Sequence, residues 1–405
     1  MMALELLDAL AELTLTPVGQ GLTREVYTPL YAEAVALVEA AMRDAGLETR
    51  IDAAGNLFGR LAGSEPDVPI VLTGSHIDTT LNAGRYDGTV GVVGAIEALR
   101  ALGNSSPRRS IEVVAIAGEE PRFGLGCLGS RALAGALSEA QLDSLADREG
   151  TTLREALVAY GLEPALLPAA RIAPGSVHAF LELHIEQGPV LERAGVPIGV
   201  VTGIAAPHDV RLTVRGTAGH AGATPMSHRR DALLGAAEIA LAAERLANAS
   251  PSTSVVATTG VLHVHPGAVN VIPGEVVLEV DVRDRELGAR ERVVAELLSA
   301  ARETCDRRGL ELSVATLVED RPVTCAPAVV EAVRGAAEAA GFAAMDLVSG
   351  AFHDAMILAA VAPVGMLFVP SRNGISHHPA EHTDPEQLDA GVAVLTAALA
   401  RLASS

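Results

Sequence analysis

Several stretches of this sequence place histidines and carboxylates directly behind apolar runs. Residues 74–80 read GSHIDTT and follow the apolar run 69–73, so His76 and Asp78 stand two apart where a buried strand should end. Side chains two apart lie on one face of a strand, so one of the pair can ligate a metal while the other braces it, as carboxylates do for ligating imidazoles. Alone, an HxD pair is more often a hydrogen-bonded surface pair. Eleven residues on, Asp87 lies in GRYDG ahead of an expected helix, where an isolated Asp would be an N-cap. AIAGEEPRF brings Glu119 and Glu120 to the end of a second apolar run, 111–117. Adjacent carboxylates repel unless a cation is near or one is protonated. Consecutive strand residues point opposite ways, which suggests one metal ligand and one proton shuttle. LELHIEQGP adds His184, with Glu182 and Glu186 in its alternation phase and Gln187 at the exit, and GISHHPAEHT offers His377, His378 and His382.

Together these form an oxygen and nitrogen donor set without thiolates, which suits Zn, Mn or Co. A cocatalytic pair needs a carboxylate bridging ions ~3.5–4 Å apart, and Asp87 is the candidate. The elements that must position these residues read as an α/β core. Residues 28–45 predict a helix opened by Thr28 and Pro29 and stopped by Gly46, and Thr89–Leu102 a second, lying between the two apolar runs. Continuous apolar runs suit strands covered on both faces, and such sheets gather polar residues at strand ends. Residues 138–174 read as a polar helical connector. From about Ala205 the pattern becomes strand 210–215, helix 231–247, strands 254–263 and 275–283, helix Leu287–Arg308 and strand 311–317, a split-βαβ succession. The chain then resumes with a helix over 328–340 and an apolar strand over Val364–Val369. The expected fold is therefore a mixed-sheet catalytic domain over 1–206 and 326–405, with an inserted ferredoxin-like domain over 207–325.

A chain of 405 residues with 49% hydrophobic and 20% charged residues suits a globular protein of two domains. A formal net charge of −20 disfavours nucleic acid as a partner. No uninterrupted apolar run is long enough to span a bilayer, and the acidic opening MMALELLDALAEL is unlike a signal peptide. Cys127, Cys305 and Cys325 fit neither a disulfide framework nor a CxxC knuckle, so a cytoplasmic location is expected.

The motifs GSHIDTT, GRYDG, GEEPRF, LELHIEQGPVLE, GTAGHAGATPM, GAVNVIPG, DVRD and GISHHPAE resemble, in order and spacing, the hydantoinase/carbamoylase family of amidases, over roughly residues 20–400. That family lies within the di-zinc aminoacylase and carboxypeptidase clan and includes N-carbamoyl-L-amino-acid hydrolases, allantoate amidohydrolases and β-ureidopropionases. The resemblance implies two divalent metal ions (Zn, Mn or Co) per subunit, one held by His76, Asp87 and His184, the other by Asp87, Glu120 and His377. Glu119 would be the general base and Asp78 would brace a ligand. His220 would polarise the scissile carbonyl oxygen, and Asn270 and Arg283 would grip the substrate carboxylate, a task suited to a planar guanidinium. Gln187 and His353 would line the pocket. The implied substrate is a small carboxylated ureido or N-carbamoyl compound, cleaved at a C–N bond with release of ammonia and carbon dioxide, by a homodimer whose inserted domain serves as lid and dimerisation surface. Two departures stand out: the segment EEPRF is shorter than the family's EEGSRF-like form, and Phe352 stands where a small residue is expected.

Other readings carry less. GLGCLG at 124–129 formally satisfies GxGxxG, but a dinucleotide site needs those glycines directly after a strand, and EEPRF intervenes. No GxSxG elbow is present. A non-catalytic relative would have little reason to keep Glu119 beside five ligands, and an aminoacylase or peptidase of the same clan is opposed by His184 within HIEQGP.

Overall fold

The computed structural model describes residues 3–17, 19–103, 105 and 107–405. They divide into two compact units, the first comprising the described residues up to Thr202 with Cys325–Leu347 and His353–Ser405, the second Gly203–Thr324 with Val348–Phe352. In chain order the first stretch forms α1 (Ala3–Glu12), α2 (Pro29–Asp44), β1 (Glu48–Ile51), β2 (Leu57–Leu61), β3 (Ile70–His76), α3 (Thr89–Leu102), β4 (Ile111–Ile116), α4 (Leu128–Ala134), α5 (Glu139–Ser144), α6 (Leu153–Tyr160), β5 (Val177–Ile185), α7 (Val190–Ala194) and β6 (Ile198–Ile204). The middle forms β7 (Ala206–Arg215), β8 (Gly219–His220), α8 (Ala232–Ala249), β9 (Val256–His265), β10 (Val271–Ile272), β11 (Glu275–Asp284), α9 (Leu287–Arg308), β12 (Glu311–Glu319) and β13 (Val323–Thr324). The return adds α10 (Pro327–Ala339), β14 (Ala344–Ser349), α11 (Asp354–Leu358), β15 (Val364–Val369) and α12 (Pro385–Ser404). Among the described residues no helix is long and apolar enough to cross a membrane.

Local chemistry explains the boundaries. Thr28, in extended backbone, accepts a hydrogen bond from Tyr31 N and Pro29 occupies the first turn of α2. Asp231 caps α8 by accepting from Leu233 N at 3.0 Å. In the first unit the strand order is β1-β2-β4-β3-β5-β15-β6, with β14 also paired to β6. The neighbours β4, β3, β5 and β15 are parallel, whereas β1, β2 and β6 are antiparallel additions. Every residue of β4 and β15 is buried, the pattern of strands covered on both faces. Close approach of α3 depends on Gly91, where a Cβ would sit 2.4 Å from Leu183 O. Around it Leu183, Ile185, Val369, Val394 and Leu399 form part of one core, and each fully buried aliphatic side chain contributes about 1.5–3 kcal/mol.

The second unit has the succession β-α-β-β-α-β, with strand order β12-β7-β11-β9, all antiparallel. Val276, Leu278, Val280 and Val282 of β11 alternate inward and share a core with α8 and α9, while the intervening residues are only partly buried. Past one end of this sheet, β8 pairs with β10, placing His220 opposite Val271.

Two expectations require correction. The strand before the glutamates ends at Ile116 and β3 ends at His76, so Asp78, Glu119 and Glu120 lie in loops and strand alternation does not set their directions. Glu182 and Glu186 also part company: Glu182 is buried, whereas Glu186 accepts Val190 N at 2.7 Å and Leu191 N at 2.8 Å at the start of α7. Strands β1, β2 and β14 are not announced by the sequence, their apolar residues being few or interrupted by glycine and charge, and helix α12, although apolar at helical spacing, is an addition to the expected elements.

Candidate active site

Because four neighbouring strands run parallel, their C-terminal ends share one edge of the sheet, where backbone groups are left unpaired and loops can converge. His76 is the last residue of β3, His184 lies one residue from the end of β5, and the loops after β4 and β15 carry Glu119, Glu120 and His377. Asp87 precedes α3 but its side chain does not cap it. Instead its Oδ1 lies 3.1 Å from His184 Nε2 and 3.8 Å from His76 Nε2, and its Oδ2 lies 3.0 Å from His377 Nε2. His377 Nε2 is also 3.6 Å from Glu120 Oε1. Two groups of donors result, His76/Asp87/His184 and Asp87/Glu120/His377, each with its ligand atoms within 4.8 Å of one another and both including Asp87. Glu119 belongs to neither, and its Oε2 is 3.7 Å from His76 Nε2.

Surrounding groups hold this arrangement. Ring nitrogens facing away are engaged: His76 Nδ1 lies 3.0 Å from Asp78 O and His184 Nδ1 2.9 Å from Ile185 O, which leaves each Nε2 toward Asp87. The Asp78 carboxylate accepts from Gly118 N at 3.2 Å, Glu119 N at 3.4 Å and Glu120 N at 3.0 Å, so it braces the glutamate loop more directly than the imidazole, 3.8 Å away. Gly88 has φ +60°, and a Cβ there would lie 2.3 Å from the His76 ring. Glu381, passed over in the sequence because it lacks ligand spacing, accepts Tyr86 N at 2.8 Å, Asp87 N at 3.1 Å and Ser376 Oγ at 2.8 Å. It thereby ties the loop of Asp87 to that of His377.

The electrostatics describe a cluster short of positive charge. Burial, followed by the charge of Glu120, pushes Glu119 well above the usual carboxylate range, and burial with Asp87 pushes Glu120 up to about 8. Burial lowers His76 to about 4. Burial also disfavours charge on Asp87 and His184, but their mutual hydrogen bond prevails, holding Asp87 well below its ordinary value and His184 at about 9. Among the described residues no Lys or Arg pairs with Asp87, Glu119 or Glu120. Gln187 donates to Asp87 Oδ2 at 2.9 Å and Ser376 Oγ at 3.2 Å, while its own Oε1 is buried without a hydrogen-bond partner. A donor set of imidazoles and carboxylates with uncompensated buried charge fits divalent cations.

The remaining residues singled out from the sequence lie as follows. His353 is buried, edge-on to His184 with ring centroids 4.5 Å apart. His378 is exposed, and His382 lies 3.0 Å from Asp384. In the second unit His220 is exposed on β8, beside Asn270, whose carbonyl accepts Ala221 N at 3.0 Å. Arg283 stands at the opposite end of β11, on Asp281 at 2.8 Å and Gly350 O at 3.1 Å. From Glu275 to Arg283 is about 26 Å of strand at ~3.3 Å per residue, so Arg283 is brought together with neither Asn270 nor His220 of its own chain. The glycines of GLGCLG form a turn behind the glutamates, with Cys127 N donating to Glu119 O at 2.8 Å and Leu128 N to Gly118 O at 2.7 Å. All three cysteines are free and buried.

Residues 72–401 match the family described as Peptidase family M20/M25/M40. The chain is 42% identical over 405 residues to the ureidoglycolate hydrolase of Arabidopsis thaliana, covering 98% of this chain and 85% of that one. It is 43% identical over 389 residues to the N-carbamoyl-L-amino acid amidohydrolase of Geobacillus stearothermophilus, covering 95% and 94% respectively. A crystal structure of an amidase of the hydantoinase/carbamoylase family from Burkholderia multivorans superposes with a TM-score of 0.91 at 37% identity, covering 100% of this chain and 97% of that one. The chain therefore belongs to peptidase family M20/M25/M40, as a hydrolase of its hydantoinase/carbamoylase amidase branch.

Proposed function

We propose that this protein hydrolyses a C–N bond of a small ureido or carbamoyl compound bearing a carboxylate, using two divalent cations. The observation that carries this reading is the pair of donor groups sharing Asp87, with the unshared carboxylate Glu119 beside them. His76, Asp87 and His184 would hold one cation and Asp87, Glu120 and His377 the other. Bound there, the cations supply Lewis-acid polarisation and lower the pKa of water.

The chain's own residues supply the rest. Glu119 takes the proton of the attacking water at Oε2 and returns it to the leaving nitrogen, the double duty open to a carboxylate that lies beside the donor groups without belonging to either. His220 donates a hydrogen bond to the carbonyl oxygen as charge develops on it. The Arg283 guanidinium and the Asn270 amide bind the substrate carboxylate. Since Arg283 and Asn270 lie far apart along one chain's sheet, the complete site draws His220 and Asn270 from a second copy. Two features of the second unit support such a dimer: β9 is an edge strand with Val256 and Leu262 exposed, and α8 exposes Leu234 and Leu241.

The test is ammonia release from ureidoglycolate, N-carbamoyl-L-amino acids, allantoate and β-ureidopropionate after chelation and resupply of Zn, Mn or Co. At least one ureido acid is expected to be cleaved only when metal is present. An undiminished rate in protein verified metal-free by elemental analysis would refute the metal reading, and cleavage of N-acyl but not ureido acids would make the protein an aminoacylase.

A further inference from the structure

We propose that residues 22–24 form a positioning strap for the irregular loop joining His76 to Asp87, with Arg24 as its anchor. The inference rests on the reading of His76 and Asp87 as metal ligands. Residues 77–86 contain neither helix nor strand, yet one ligand stands at each end of them. Three consecutive residues from the N-terminal region run along this loop and bind it at both ends. Leu22 and Ala83 exchange both backbone hydrogen bonds at 2.8 Å. Thr23 Oγ1 accepts from Asn82 N at 3.0 Å. Arg24 N donates to Thr79 Oγ1 at 2.9 Å, and Thr79 N returns a bond to Arg24 O at 3.0 Å.

The Arg24 side chain completes the hold. Only 1% exposed, it donates from Nε to Ile77 O at 2.8 Å, directly after His76, and from Nη1 to Leu10 O at 2.5 Å and Leu13 O at 3.1 Å. One guanidinium thus fastens the start of the loop to the end of α1, with its charge near the buried carboxylate of Asp78. A fork of fixed donors does this where an ammonium could not.

Core packing holds Ile77 and Tyr86 near the two ends of the loop, whereas Leu81 and Asn82 between them are exposed. A cavity of about 340 Å³ opens beside the loop, lined by Thr14, Gly21, Leu22, Ala83, Gly84 and Pro379 among others. Along this exposed middle the hydrogen bonds with Leu22 and Thr23 add restraint that packing does not supply. Fixing a residue's backbone costs conformational entropy, and a site whose loop is ordered beforehand does not lose that on binding. The strap accordingly acts on metal affinity by holding the two ends of the loop in register, while Glu381 anchors its far side.

The experiment uses the full chain with two substitutions, Arg24→Lys and Thr23→Val, and a control in the core of α12, Leu399→Ala, that leaves the loop untouched. Zn²⁺ and Mn²⁺ affinity is measured by competition with a chromophoric chelator, alongside circular dichroism and thermal melting of the metal-free proteins. Metal affinity is expected to fall at least tenfold in Arg24→Lys and about threefold in Thr23→Val with native secondary structure retained, while Leu399→Ala melts earlier but binds like the parent. Parent-like affinity in both strap variants, or an equal loss in the control, overturns the proposal. If Arg24→Lys fails to fold, Thr23→Val decides alone. A parent protein that takes up neither ion refutes the ligand assignment and the strap with it.

Discussion

Glu119 and Glu120 are neighbours in the chain with different surroundings: Glu120 faces His377, while Glu119 lies beside His76 and outside both donor groups. Glu119→Gln is therefore expected to keep near-normal metal content while turnover falls roughly 10²–10⁴-fold, the usual contribution of a general base. Glu120→Gln should lose metal as well. Elemental analysis beside steady-state kinetics separates them, and equal metal loss in both would mean the two roles are wrongly divided. Gly88 is a second sensitive residue. Its left-handed backbone and its approach to the His76 ring leave no space for a methyl group. Gly88→Ala should cost roughly 1–3 kcal/mol in strain and displace His76, read as a lower melting temperature together with weaker metal binding. A variant that melts early but binds metal normally would show that His76 is positioned by something else.

At the scale of elements, the parallel run β4-β3-β5-β15 makes the site possible by ending four strands at one edge. The second unit relies on helix pairing over a sheet, and one contact there has a pH signature. Glu238 of α8 meets Arg308 and Arg307 at the end of α9, and these hydrogen bonds, Arg308 first, lower its carboxyl to about 2 from an ordinary 4.5. A depressed folded value means the stabilisation is fully present above pH 4.5 and disappears as pH falls toward 2. With the Glu238 side chain 34% exposed, solvent screening limits the contribution to about 0–1 kcal/mol. Glu238→Gln should destabilise by that much at neutral pH and flatten stability loss below pH 4.5 relative to the parent. Denaturant titrations at pH 3, 4 and 7 check this, and a constant difference between the two proteins at all three would dismiss the ion pair as a source of stability.

For the whole molecule, the proposed sharing of the site between two copies starts from the distance between Arg283 and the pair His220 and Asn270 within one second unit. Symmetric dimers with self-complementary interfaces are the commonest oligomers, and such sharing gives two equal composite sites. Glu119→Ala and His220→Ala, each inactive alone, should regain activity when mixed under conditions of subunit exchange, because a subunit keeping Glu119 receives an intact His220 from its partner. At most half the parental sites are restored in such a mixed dimer. Proven exchange without recovery would place His220 over its own subunit's metals and leave the metal chemistry untouched.

Much of this protein is legible in its sequence because the information is local. Thr28 with Pro29 opens α2 and Asp231 opens α8 by capping chemistry that needs no distant partner, and the apolar runs announce β4 and β15 as buried strands. The family resemblance carried by the motifs singles out His76, Asp87, Glu120, His184 and His377 as the proposed donors, and these side chains do lie together in two groups sharing Asp87. Which donors meet was a tertiary matter, since Asp87 reaches His184 and His377 only through the strand order and the path of the loop after β15. The same holds for the fastenings. Glu381, Ser376 and Arg24 have ordinary local contexts, and their partners lie 295 residues away for Glu381 on Tyr86 and 53 residues away for Arg24 on Ile77. Side-chain periodicity encodes how a segment folds, whereas a buried hydrogen bond across such separations exists only once packing has brought its ends together.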